Sequence, residues 1–380
     1  MLRKFLTFIL ALSVLIPPVS AQAVQEPRLS ASASILLHAD SGKVLLEHNA
    51  DERMLIASTT KVMTALVALD YAEPDELVTI PAEATRVEGS SMYLKAGAEY
   101  SVRDILAGLL LVSGNDAALA LAYHIGGDIE TFAELMNAKA AELGLLNTAF
   151  KNPHGLDAEG HYSSARDLAL IMRAAMENET FREITAMKTC KAGEMVYVNH
   201  NKLLWRYSGT TGGKTGYTKA AGRSLISTAE RDGLRLICVT LNDPDDWNDH
   251  ASLYDWAFAA FAYTEVQLPY EVKIPVISGL RDSVGVSLDG ELRALIRRGD
   301  EMQICLELPR FVFAEVRAGD AAGRLILSSG GEYAAEIGLC YAETVAMSRK
   351  LSSWERFKRA WQLSGQFEPE FKIKQGPLKN

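Results

Sequence analysis

The chain has 380 residues, 48% of them apolar and 23% charged, with a net charge of −9. That is long enough for two domains with separate cores and too apolar for wholesale disorder. The acidic balance argues against a nucleic-acid partner.

Arg3 and Lys4 precede an apolar run from Phe5 to Ile16, short for a bilayer span, which Pro17-Pro18 stops. Val19-Ser20-Ala21-Gln22-Ala23 then offers small-residue cleavage sites. Residues 1–23 therefore read as an export signal, with an uncleaved anchor helix as the alternative. Removal of the signal leaves a net charge of −11 and a protein expected to work outside the cytoplasm.

Ser34–Leu37 and Val44–Leu46 flank Asp40-Ser41-Gly42 as a hairpin. Leu55–Ala68 reads as a buried helix beginning near Ser58. Ser101-Val102-Arg103-Asp104 resembles a capping box, with Asp in the place of Glu, and opens an apolar helix through Val112. Ser113-Gly114-Asn115 interrupts the pattern, and Asp116 starts another helix through Ile125. Helical periods at 129–143 and 164–176 flank a loop, Asn152-Pro153-His154-Gly155-Leu156-Asp157. Strands follow at 222–228 and 234–241, then a helix over 251–261. Strands at both ends of a helical middle predict an α/β (α+β) domain over 24–264, a mixed sheet covered by helices with an all-helical insert.

From 265 to 345, short strand candidates punctuated by Gly, Asp and Pro predict a small all-β domain, sandwich or barrel, with no evident chemistry. Cys190, Cys238, Cys305 and Cys340 form no C-x-x-C pair, so zinc and redox readings are weak. A Cys305–Cys340 bridge and buried free thiols both stay open. Over 346–368, Met347, Leu351, Trp354, Phe357 and Trp361 recur at helical steps. Arg349, Lys350, Arg356, Lys358 and Arg359 accompany them against Glu355 alone. Such a helix suits adsorption to anionic lipid; packing onto the β domain is the alternative. Residues 369–380 form a tail.

The chemistry gathers in three short motifs. Ser58-Thr59-Thr60-Lys61 places a hydroxyl at a helix start, where backbone N–H groups favour developing negative charge, with a lysine about one turn on. Serine needs a base, and Lys61 can serve if burial among Val62, Met63, Ala65 and Leu66, or the charge of Lys214, lowers its pKa. In Ser113-Gly114-Asn115, Ser113 would relay a proton to a leaving amine. The Asn115 amide would bind a substrate carbonyl or orient Lys61. Lys214-Thr215-Gly216 would be a sheet edge where Gly216 admits a substrate backbone as an added strand. There Thr215 and Lys214 would meet a carboxylate, and the N–H groups of Ser58 and Tyr217 would form an oxyanion hole. This set performs acyl transfer with no metal or cofactor.

Ser-x-x-Lys, Ser-x-Asn and Lys-Thr-Gly in this order resemble the serine β-lactamase and penicillin-binding protein signature, with Gly114 replacing its Asp. With the 152–157 loop, Asn201-Lys202-Leu203-Leu204 and Thr211–Thr218, the segment from Ala31 to Phe261 is similar to low-molecular-mass penicillin-binding proteins, the serine D-alanyl-D-alanine carboxypeptidases. The resemblance implies the transpeptidase-like fold, cleavage of the last D-alanine from a peptidoglycan stem peptide through an acyl-enzyme on Ser58, and acylation by β-lactams. It also implies the layout of signal peptide, β-rich C-terminal domain and membrane-binding amphipathic helix. Some relatives hold the terminal carboxylate with an arginine that Asp245–His250 lacks, and Arg223 is the candidate substitute. A class A β-lactamase would need Glu-x-x-Leu-Asn near His154-Gly155-Leu156-Asp157, where it is missing. A DD-endopeptidase would share every motif, and a silent wall-binding protein would not require Ser58, Lys61, Ser113 and Lys214 to stay intact.

Overall fold

The computed structural model describes residues 24–192, 195–268, 271–348, 351–364 and 370–375. The expected signal, 1–23, lies outside them, as do Arg349 and Lys350. Two units divide at residues 259/260.

In the first unit the chain begins with β1 (Ala33–His38), β2 (Val44–His48), a 3-10 turn (Ala57–Thr60), α1 (Lys61–Tyr71), β3 (Leu77–Thr79) and β4 (Glu99–Ser101). The helical insert continues with α2 (Val102–Leu111), α3 (Asn115–Gly126), α4 (Ile129–Glu142), α5 (Ala165–Ala175) and α6 (Glu179–Ala186). After β5 (Thr189–Ala192), β6 (Met195–Val198) and the short α7 (Leu203–Arg206) come β7 (Thr210–Thr218), β8 (Gly222–Arg231), β9 (Leu234–Leu241) and α8 (Asp246–Ala260).

The central sheet is antiparallel in the order β2-β1-β9-β8-β7. Its first strand closes on its last, with Ile35 opposite Val239. Every residue of β1 is buried, because α5 packs on this part of the sheet. Val62, Met63, Leu66, Leu106, Leu109, Ala120 and Phe132 make one core beneath the motifs. Each such large side chain contributes about 1.5–3 kcal/mol by leaving water. Polar caps set where the helices begin: Ser101 Oγ accepts from Asp104 N at 3.1 Å, and Ser164 Oγ from Asp167 N at 3.1 Å.

Two boundaries in this unit differ from the sequence reading. The helix expected from Leu55 begins only at Lys61, because Ala57 has φ +47° and Ser58 sits in a 3-10 turn. α8 starts at Asp246, not 251; Asp245 O accepts from Asn248 N at 3.0 Å. The polar stretch Asp246–His250 masks this turn, although Asp246 and His250 are buried. The helix α6 and the hairpin β5–β6 were not signalled by apolar period.

The second unit is all-β before its terminal helix. It runs β10 (Phe261–Val266), β11 (Lys273–Ile277), β12 (Ser283–Leu288), β13 (Leu292–Arg297), β14 (Met302–Glu307), β15 (Val312–Phe313), β16 (Ala321–Ser329), β17 (Glu332–Tyr341), α9 (Ser353–Ser364) and β18 (Glu370–Gln375). One sheet has the order β15-β11-β12-β17-β16-β14-β18, and β10 pairs with β13. Ile274, Val284, Ile304, Leu306, Leu325 and Leu339 form its core. Cys305 stands on β14 and Cys340 on β17, separated by β16. Two strand spacings of about 4.8 Å exceed the reach of a disulfide, so these two cysteines do not bridge. The terminal helix starts at Ser353, six residues after Met347. Met347 instead bridges Gly279 as extended chain, and a Ser352–Glu355 capping box opens the helix, with Glu355 Oε2 accepting from Ser352 N at 2.8 Å.

Candidate active site

The strained turn before α1 presents Ser58. Thr59 Oγ1 donates to Ile56 O at 2.6 Å and Thr60 Oγ1 to Ala57 O at 2.9 Å, tying the turn beneath it. Lys61 opens α1 and is 0% exposed. Its Nζ donates to Ser58 Oγ at 2.9 Å, Asn115 Oδ1 at 2.7 Å and His154 O at 2.6 Å. Burial pushes this ammonium well below the usual lysine range, the Lys214 charge pushes it further, and Asp116 opposes both. Once this ammonium has lost a proton, Asn115 Oδ1 and His154 O can hold its two remaining N–H groups while the lone pair faces Ser58 Oγ.

Ser113 links α2 to α3 with φ +62°, and Asn115 is the first residue of α3. Asn115 Nδ2 donates to Glu88 O at 2.6 Å, which turns the amide oxygen toward Lys61. Of the two uses open for Asn115, orienting Lys61 is the one its geometry displays. Lys214 Nζ donates to Ser113 Oγ at 3.0 Å and to Thr215 O at 2.6 Å. Lys214 is 1% exposed, and burial lowers its pKa to about 7. Its ammonium faces the Ser113 hydroxyl.

β7 is the sheet edge that the third motif predicts. A Cβ on Gly216 would stand 3.0 Å from Ile56 O and 3.1 Å from Ser58 N, so a larger residue would push this edge a few tenths of an ångström off the Ser58 turn. A cleft of about 330 Å³ joins Ser58, Ser113, Thr215, Gly216, Tyr217 and Arg223. The structure thus brings all the predicted site residues to one cleft or directly beneath it. Arg223 is not a free cation: Asp246 accepts from its Nη2 at 2.6 and 2.8 Å, and Trp247 lies under it at 5.6 Å.

Residues 20–245 match the peptidase S11 family, described as D-alanyl-D-alanine carboxypeptidase. The chain belongs to this family. It is 31% identical to the D-alanyl-D-alanine carboxypeptidase DacF of Bacillus subtilis over 86% of this chain and 91% of that one. The D-alanyl-D-alanine carboxypeptidase DacB2 of Mycobacterium tuberculosis is 42% identical over 63% of this chain and 86% of its own length. Among solved structures, penicillin binding protein 5 of Haemophilus influenzae superposes with a TM-score of 0.69 at 31% identity, covering 85% of this chain and 99% of that chain. That share is more than residues 25–259 can supply, so the likeness reaches into the all-β unit. The protein is accordingly a serine-type carboxypeptidase of the penicillin-binding class.

In this carboxypeptidase the 152–157 loop, to which the sequence analysis gave no role, borders Lys61. The His154 carbonyl is a direct acceptor for Lys61, while the His154 ring stays neutral, its pKa lowered to about 3 by burial and the Lys61 charge. Asn152 shapes this loop by accepting from Gly155 N at 2.7 Å and donating to Leu156 O at 2.9 Å. Thr64 Oγ1 anchors it through Pro153 O at 2.6 Å. The signal available was the motif itself, since a backbone acceptor leaves no mark in residue type. His200 also lines the cleft, lowered in pKa by burial and then by Lys214.

Proposed function

We propose that this carboxypeptidase removes the terminal D-alanine of peptidoglycan stem peptides through an acyl-enzyme on Ser58. Neutral Lys61 takes the Ser58 proton as the oxygen attacks the carbonyl between the last two D-alanines. The N–H groups of Ser58 and Tyr217 receive the oxyanion, a contribution of roughly 3–4 kcal/mol per donor in other enzymes. Ser113 hands a proton to the leaving D-alanine nitrogen, with Lys214 behind it as the proton reservoir. Water then cleaves the ester and frees Ser58. Asn115 fixes Lys61, Thr215 binds the terminal carboxylate together with the Arg223 N–H groups that Asp246 leaves unused, and Gly216 admits the peptide along β7. β-Lactams acylate the same hydroxyl. The observation that carries this reading is the buried Lys61 amine 2.9 Å from Ser58 Oγ. Release of D-alanine from a synthetic pentapeptide tests it: the wild type releases it and Ser58→Ala does not. Equal release by both would overturn the assignment.

The layout proposed is a signal over 1–23, the catalytic domain over 24–264, the β domain over 265–345 and a membrane-binding segment over 346–368. Within it Trp354, Phe357 and Trp361 are exposed and stack at 5.6 and 6.2 Å along α9. Lys358 Nζ lies 5.5 Å over the Trp354 ring, while Arg356 donates to Ser348 O at 3.4 Å and Arg359 pairs with Asp282 at 3.2 Å. Apolar rings with flanking cations suit adsorption to anionic headgroups on the outer face of the cytoplasmic membrane. Among the described residues, no helix is long and apolar enough to cross a membrane.

A further inference from the structure

Asp116 follows the second motif and has no part in the steps above, yet it is 2% exposed directly beneath the cleft. Its Oδ2 accepts from Ser91 Oγ at 2.6 Å and Leu94 N at 3.0 Å, and its Oδ1 from Met92 N at 2.9 Å and Ala117 N at 3.0 Å. Two further bonds bind the same segment to the start of α3: Asn115 N to Ser90 O at 2.7 Å and Asn115 Nδ2 to Glu88 O at 2.6 Å. Tyr197 OH closes the far side on Met92 O at 2.9 Å. Ser90, carried by this segment, lines the cleft beside Ser58 and Ser113.

We propose that Asp116 is a positioning residue with two effects: it straps Glu88–Leu94 to α3 as a wall of the cleft, and its carboxylate restrains Lys61 electrostatically. The proposal rests on Lys61 being the base. The charged or titratable groups acting on Lys61 are Lys214 from β7, Asp116 from α3 and the neutral His154 ring from its loop. Asp116 raises the Lys61 pKa, whereas Lys214 and burial lower it. Removing the carboxylate charge therefore lets Lys61 stay unprotonated to lower pH.

The test is the pH dependence of penicillin acylation by the full chain. Asp116→Asn is expected to move the acid limb downward while lowering the plateau rate several-fold. An acid limb that coincides with that of the wild type overturns the proposal, because a merely structural role would scale the curve without moving it. Ser91→Ala, which keeps the charge and withdraws one strap, gives an independent arm if Asp116→Asn does not fold. It is expected to leave the acid limb in place, raise KM for pentapeptide several-fold with little change in kcat, and speed proteolysis within Glu88–Leu94. Unchanged KM and proteolysis would also overturn the proposal. If the wild type itself is not acylated at Ser58, it is the underlying assignment that fails.

Discussion

At the scale of the residue, two buried lysines are the costly feature of this enzyme. Lys61 and Lys214 lose their hydration and retain only a few oxygen acceptors, and that loss makes them usable as bases near neutral pH. The sign of the stability effect follows for Lys214. Between about pH 7, where it titrates in the folded state, and the ordinary lysine value near 10.5, the unfolded chain binds a proton that the folded chain has released. Folding therefore becomes more favourable as pH rises through that window, and the full cost of burial is present below it. Lys214→Met is expected to abolish D-alanine release and to raise Tm at pH 6 by roughly several degrees. The gain should shrink toward pH 10. Melting curves at the two pH values check this; a variant less stable than wild type at pH 6 would contradict it. The residue types and spacing were legible in the sequence, since the proposed nucleophile and base stand three positions apart and apolar neighbours promise burial. The environment was less so. That Lys214 addresses Ser113, and that Asp246 already holds Arg223, depends on contacts across 101 and 23 positions.

At the scale of the element, the site depends on irregular backbone at the ends of regular pieces. Ala57 and Ser113, both at positive φ, are each strained by about 1–3 kcal/mol and place the two serines on the cleft. Helix periods, with the Ser101 cap on α2, predicted α2, α4 and α5 closely. They overran the 3-10 turn, because the apolar run from Leu55 hides a left-handed residue that only the packed loop imposes. Gly155 in that loop has φ +83°, and a Cβ there would collide with Ala57 O. Gly155→Ala should therefore cost about 2–4 kcal/mol and pull the His154 carbonyl off Lys61. Penicillin acylation is expected to slow at least about tenfold, with chemical denaturation reporting the stability loss. Wild-type rate and stability would show that the turn and the loop are not coupled.

At the scale of the whole molecule, the sequence pattern separates a catalytic unit, an all-β unit and a basic aromatic helix, and the first two are distinct compact units. The exact start of α9 was not legible, since Met347 and Leu351 extend the helical period backward while Met347 is engaged as a bridge to Gly279. With Trp354, Phe357 and Trp361 all changed to Ser, the full chain should lose co-sedimentation with anionic vesicles and keep its release of D-alanine in solution. Undiminished sedimentation would assign the helix another role. The central claim, that distant motifs meet to make Ser58 the acylated nucleophile, is tested most directly by intact and peptide mass spectrometry after benzylpenicillin treatment. One covalent adduct on the peptide containing Ser58, absent from Ser58→Ala and strongly slowed in Lys61→Ala, is the predicted result. An adduct on another residue, or none on the folded wild type, would contradict the account.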